Sequence, residues 1–286
     1  MIANLEKDRF TAAFWCKSGA LFTDSEASII RNSVVSVAGI GGVGCIVVEM
    51  LARLGFTKFR VADPDAFDES NINRQVFALG STLGRNKAEV AAERIKDINP
   101  YCEISCFPNG ITKGNVREFV CGSDIVFSVP DLMGPQVLIH RIARELSVPV
   151  VKGSRSGYPG NRWTVKGFVW DYRTGTEVPD FEITSDLPCA EVPWEDLTES
   201  YLQAMEQAIH ARMTDRLQGK LKSDPKSLLG THTLSEHAEK IAGDPACASK
   251  TICAPISNAG GILAVVEGLK LLLGWELAEI ELPLVL

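Results

Sequence analysis

Between Ser33 and Gly153, short β-branched runs alternate with longer segments whose apolar positions recur at three- and four-residue steps. Val34–Ala38 (VVSVA) predicts a buried strand, and a glycine-rich turn then opens a helix over about Val43–Leu54. Lys58–Ala62 predicts a second strand that ends on Asp63, and a helix follows over about Arg85–Ile98, stopped by Asn99-Pro100. The pattern continues as strand Glu103–Phe107, helix Thr112–Val120, strand Asp124–Val129, helix Gln136–Leu146 and strand Val148–Val151. Such alternation predicts an α/β fold: a doubly wound, Rossmann-like, mainly parallel sheet with helices on both faces.

Beyond Gly153 the alternation stops. Trp163–Trp170 (WTVKGFVW) predicts a strand with alternating faces, and Asp171–Pro193 is rich in turn formers. Leu202, Met205, Ile209, Leu217 and Leu221 give helical spacing from Glu195 to about Leu221, read first as a packing or dimer helix. A last helix over about Asn258–Leu273 leads into the apolar stretch Ile280–Leu286. The expected organisation is an N-terminal helical segment (1–32), a nucleotide-binding core (33–170), an irregular and helical insertion (171–251), and a C-terminal helix and strand completing the core (252–286).

Composition narrows the function. With 29 basic and 36 acidic residues among 286, the net charge is −7, and no basic block offers a footprint for nucleic acid. The most apolar stretches, Val34–Met50 and Ile252–Leu273, are interrupted by glycines, Glu49, Glu267 and Lys270, so they predict buried elements and not membrane spans. The N-terminal sequence carries acidic residues and no apolar run with a cleavage site, and the eight cysteines are irregularly spaced. A cytoplasmic protein with reduced thiols is expected.

The strongest local signal is Gly39-Ile40-Gly41-Gly42-Val43-Gly44, directly after a strand and opening a helix. Gly39, Gly41, Gly42 and Gly44 suit a tight turn that lets the backbone approach a phosphate at a helix N-terminus. Asp63, at the end of the next strand, is placed to accept hydrogen bonds from ribose hydroxyls. Dinucleotide dehydrogenases and several ATP-using folds share this much, and alone it favours NAD, the commoner ligand of such a loop.

The following segment discriminates. Asp63-Pro64-Asp65 leads to Ser70-Asn71-Ile72-Asn73-Arg74-Gln75, then to Gly84-Arg85-Asn86-Lys87, and later to Ser128-Val129-Pro130-Asp131. In order and placement these blocks resemble the ThiF/MoeB/HesA family, bacterial relatives of ubiquitin-activating enzymes. The resemblance covers roughly Arg31–Trp170 and resumes at Ile252–Gly274. It implies an ATP-dependent adenylyltransferase that converts a C-terminal carboxylate to an acyl-adenylate with release of pyrophosphate. The implied partner is a ubiquitin-like or sulfur-carrier protein, or a peptide, with a free C-terminal carboxylate; a homodimer is also implied.

Residue chemistry suits that implication. Arg74 offers a planar fork for phosphate oxygens, Lys87 a compact cation for pyrophosphate, and Asp131 a carboxylate for Mg²⁺. Asn71 and Gln75 supply neutral hydrogen bonds to the triphosphate. Taken singly, each has another reading: Arg74 and Lys87 as surface charges paired with Asp65, Glu69 or Glu89, and Asp131 as a helix N-cap.

The chain also departs from the family pattern. Many relatives hold a structural zinc in two Cys-x-x-Cys pairs, but here Cys189 lacks its partner and five residues separate Cys247 from Cys253, so zinc is not expected. The N-terminal Arg-x-x-Arg of homodimeric relatives reads Arg9-Phe10-Thr11-Ala12, which leaves Arg9 as the one candidate to act across a dimer, beside its reading as a solvated helix charge. Cys253 and Cys189 are candidate nucleophiles for a thioester, with plain structural thiols as the alternative, whereas Cys45 belongs to the core. Two other functions compete: an NAD-dependent oxidoreductase using the same glycine loop, and a non-catalytic subunit of a heterodimeric activating enzyme.

Overall fold

A computed structural model describes residues 2–158, 162–174, 192–204, 207, 254–276 and 281–285. Two helices open the chain, α1 (Ile2–Trp15) and α2 (Asp24–Asn32). Then come β1 (Val34–Ala38), α3 (Gly42–Leu54), β2 (Lys58–Ala62), α4 (Lys87–Ile98), β3 (Glu103–Phe107), α5 (Val116–Val120), β4 (Ile125–Ser128), α6 (Met133–Leu146) and β5 (Val150–Tyr158). The described residues end with β6 (Arg162–Trp170), α7 (Ala254–Leu273) and β7 (Glu281–Val285).

The strand order is β3-β2-β1-β4-β5-β6-β7, with parallel pairing from β3 through β5 and antiparallel pairing from β5 to β7. The doubly wound α/β architecture expected from the sequence is therefore present. Order reverses between β1 and β4, and the carboxyl ends of strands flanking such a switch form a crevice. Helices α2, α3, α4 and α7 cover one face around Val35, Val37, Phe59 and Phe127. Helices α5 and α6 cover the other around Ala38, Val126, Val150 and Leu138.

Local chemistry fixes the helix limits. Thr23 and Glu26 form a reciprocal capping box at the start of α2. Gly55 ends α3 in a left-handed conformation (φ 97°), and the Trp15 ring lies where a side chain would stand. Helix α1 is thereby seated at the C-terminal end of α3, and its Phe10 also meets Tyr101. Glu49 of α3 receives a two-pronged bond from Arg94 of α4, at 2.9 and 3.0 Å, and a third from Arg53. These donors hold its carboxyl below the usual range against the opposing effect of burial.

Several boundaries differ from expectation. Helix α5 starts at Val116 and not Thr112, because Thr112–Asn115 forms a turn closed by the Asn115 side chain. Helix α6 starts three residues early, with Pro135 inside its first turn, where no intrahelical N–H is lost. Strand β5 runs on to Tyr158 through a segment of small and polar residues, since antiparallel pairing with β6 holds nine residues in register. Helix α7 begins at Ala254 rather than Asn258. Of the helix expected over Glu195–Leu221, the described part begins with a three-ten turn at Trp194–Asp196 and turns helical from 199; the rest lies outside the described residues. Among the described residues, no helix is long and apolar enough to cross a membrane.

Candidate functional site

Strand β1 delivers the chain into the glycine loop at the sheet's switch point. Gly39 adopts φ 87°, and a side chain there would lie 2.5 Å from the Pro130 nitrogen. Only glycine fits this crossing of two backbones. Gly44 is as constrained, since an added Cβ would stand 1.7 Å from the Gly39 carbonyl oxygen. Gly41 occupies the N-cap of α3 and makes no side-chain cap, so the helix amides and their positive dipole end remain available to an anion. Ser257 of α7, fully buried, stands 3.0 Å from a Cβ position built on Gly42 and so packs against the loop.

Asp63 fastens this loop. Its Oδ2 accepts from the Ile40 amide at 2.5 Å and its Oδ1 from the Asp65 amide at 2.9 Å. Burial pushes the carboxyl up, against the lowering effect of both amides and of Lys87. Each oxygen keeps a further lone pair for a ribose hydroxyl.

A three-ten turn at Glu69–Asn71 opens a compact run of turns in which Arg74 and Gln75 both return their amides to the Asn71 carbonyl. This folds the block back onto the glycine loop. The Arg74 Cγ lies 3.4 Å, and the Gln75 Nε2 4.0 Å, from Cβ positions built on Gly42 and Gly41. Arg74 donates to the Ser70 carbonyl and to Asn73 Oδ1, not to a carboxylate. Asn71 Oδ1 and Gln75 Oε1 are buried acceptors without a hydrogen-bond partner. Such atoms cost free energy unless a ligand or its waters meet them.

Lys87 is the first residue of α4, below an N-cap by Asn86. Its ammonium pairs with Asp65 at 3.0 Å and stands 6.0 Å over the Phe67 ring. Of the reading of Lys87 as a surface charge paired with Asp65, the pairing holds and the surface placement does not: the side chain is 8% exposed, while that of Asp65 is 67% exposed. A cation is thus held in place by a carboxylate free to turn to water. Asp131 is exposed and follows β4. Its alternative reading as an N-cap is also corrected, because Leu132 holds that position and no side chain caps α6. Pro130, packed under Gly39, brings Asp131 to the edge of the loop.

The remaining candidates are not brought to this place. Arg9 is exposed on α1, a helix seated at the other end of α3. Cys189, Cys247 and Cys253 lie outside the described residues. Cys45 is core, its thiol pushed up to about 12 by burial. Among the described residues, no three His, Cys, Asp or Glu side chains cluster to hold a metal by themselves. Magnesium arriving with a triphosphate needs only one or two carboxylates from the protein, and Asp131 is an exposed carboxylate at the edge of the loop.

Sequence reasoning missed Ser257, Gln136 and Lys152, none of which stands in a recognisable motif. It also did not foresee the state of His140, whose Nδ1 lies 2.7 Å from the Tyr172 hydroxyl. Burial, with Lys152 and Arg144 nearby, pushes this imidazole down to about 3. Unfolded histidine titrates near 6.5, so the unfolded chain binds the extra proton between about pH 6.5 and 3. Stability is whole above that window and falls through it, by up to ~1.4 kcal/mol per pH unit. A His140→Phe variant is expected to flatten this acid limb in denaturant unfolding from pH 7 to 4; an unchanged slope would refute a buried neutral His140.

The family model for the ThiF family matches residues 17–284. The chain belongs to the ThiF family. This ThiF chain is 33% identical over 138 residues to the tRNA threonylcarbamoyladenosine dehydratase of Escherichia coli K12, covering 48% of this chain and 52% of that one. It is 32% identical over 136 residues to the SAMP-activating enzyme E1 of Haloferax volcanii, covering 48% and 50%. The matched stretch therefore spans about half of those relatives. In fold, this ThiF chain is similar to the E. coli dehydratase solved in complex with AMP, with a TM-score of 0.59, 22% identity, and 92% and 95% of the two chains covered.

Proposed function

We propose that this ThiF-family chain is an ATP-dependent adenylyltransferase that activates a carboxylate as an acyl-adenylate. The observation that supports this best is the glycine loop locked by Asp63 and flanked by Arg74 and Gln75, with two unpartnered acceptors beside it. Ribose is held by Asp63 and the triphosphate by the amides opening α3. A carboxylate oxygen forms a bond to the α-phosphorus while the bond to the bridging oxygen breaks, and pyrophosphate leaves with the electron pair. Arg74 and Lys87 neutralise charge on the phosphoryl and leaving oxygens, so positioning and electrostatics supply most of the acceleration. Asp131 would hold Mg²⁺, which adds positive charge at the phosphates when bound.

The first candidate substrate is a small protein or peptide with a free C-terminal carboxylate, presented to a homodimer. The SAMP-activating enzyme among the relatives supports this class. A carboxylate carried on tRNA is the second reading, suggested by the tRNA threonylcarbamoyladenosine dehydratase among the relatives. The net charge of −7 weighs against it. The Asn71–Gln75 block at the loop disfavours NAD.

Thermal unfolding with MgATP, and separately with NAD, tests the nucleotide. MgATP at a hundredfold excess over its dissociation constant is expected to stabilise the fold by about 2.7 kcal/mol. Arg74→Ala and Asp131→Ala should remove most of that stabilisation. A response to NAD alone sinks the adenylation reading. Pyrophosphate–ATP exchange with peptide, carrier protein or tRNA then separates the substrate classes.

A further inference from the structure

Asp131 sits in a turn whose two flanking carbonyls are gripped by one side chain. The amide of Gln136, 2% exposed, donates from Nε2 to the Pro130 carbonyl at 2.8 Å and to the Leu132 carbonyl at 3.4 Å. Its Oε1 accepts from Lys152 Nζ at 2.6 Å. A primary amide has nearly the same shape after a 180° flip, so geometry alone does not decide which end faces the turn. An ammonium decides it, because it has donors and no acceptor. With Lys152 on the Oε1 side, Nε2 is committed to the carbonyls around Asp131. The turn is equally committed on its other side, where Pro130 packs under Gly39.

We propose that Lys152 is a positioning residue that acts through Gln136 to lock the Pro130–Leu132 turn and aim the Asp131 carboxylate at the magnesium of the nucleotide. The assignment rests on the adenylation reading. Lys152 makes no chemical step. It lies on β5, on the α6 side, level with the end of β4. Burial pushes its ammonium down to about 8, and the Asp131 charge opposes that shift. An apolar side chain of similar length would be the more stable occupant of such a place. Groups that orient a metal ligand typically change metal affinity by about 10–100-fold when removed.

Calorimetric titration of ATP binding against Mg²⁺ tests the relay on the full chain. Lys152→Met is expected to raise the Mg²⁺ concentration for half-maximal effect by about tenfold, leaving metal-free ATP affinity unchanged. Gln136→Glu, which keeps packing but turns a carboxylate oxygen toward the two carbonyls, should do the same, and it carries the test if Lys152→Met fails to fold. In an Asp131→Asn background, Lys152→Met should add nothing, since both changes act on one ligand. An unchanged Mg²⁺ dependence, or an effect that simply adds to that of Asp131→Asn, overturns the proposal and leaves Lys152 a packing residue. A wild-type chain without Mg²⁺-dependent ATP binding overturns the adenylation reading itself.

Discussion

Gly44→Ala is expected to abolish MgATP binding and to destabilise the chain by about 3 kcal/mol, at the upper end for overpacking. The new methyl carbon would stand 1.7 Å from the Gly39 carbonyl oxygen, a contact with backbone that no rotamer relieves. Gly39 has little room to retreat, because Pro130 backbone fills the space where its own side chain would stand and its amide is bonded to the Ala62 carbonyl at 2.8 Å. Relief has to come from shifting α3 off the sheet, which opens the packing around Val47 and Leu51. Urea unfolding measures the first effect and calorimetry the second. Gly80→Ala is the control, since nothing lies within 4 Å of a Cβ there and its φ is ordinary. Equal stability of the two variants would show that the close approach of Gly44 is wrong.

Lys87→Met should separate activity from stability. Removing a preorganised charge from a phosphoryl-transfer site lowers the rate of adenylate formation by about 10²–10³-fold. The fold should hold, because the buried ammonium is exchanged for an apolar chain of similar length, Asp65 already faces water, and the Ile40 and Asp65 amides still hold the buried Asp63 carboxyl. Single-turnover formation of the adenylate reads the first quantity and thermal unfolding the second. A loss of activity matched by a loss of stability would make Lys87 a structural residue.

The sequence displayed the parts of this fold whose reasons are local. Val34–Ala38 is a strand buried on both faces, and a buried parallel strand reads as an unbroken apolar run. The loop after it is legible because Gly39 and Gly44 answer to backbone geometry, and the helix at Lys87 because Asn86 caps it. What hid were features decided by distant partners. The stretch Gly153–Gly157 lies where the alternation stops, yet β6 holds it in a ladder. Gln136 and Lys152 are sixteen positions apart and belong to no motif; only the parallel placement of β5 beside β4 brings them together. Burial of Lys87 was equally invisible, because a lysine at a helix start is ordinarily solvated.

Both flanks of the stretch between residues 204 and 254 are seated on the sheet's covering layers. On one side Leu197 is fully buried against Met133 and Val137, while Lys113 and Arg141 hold the carbonyls of Trp194 and Val192. On the other, α7 packs so closely that side chains on Gly261 and Gly153 would strike Ile46 and the Gly260 carbonyl. The two anchors are thus fixed to the core independently, so loss of the contacts at Leu197 should leave α7 and its Ser257 seated beside the glycine loop.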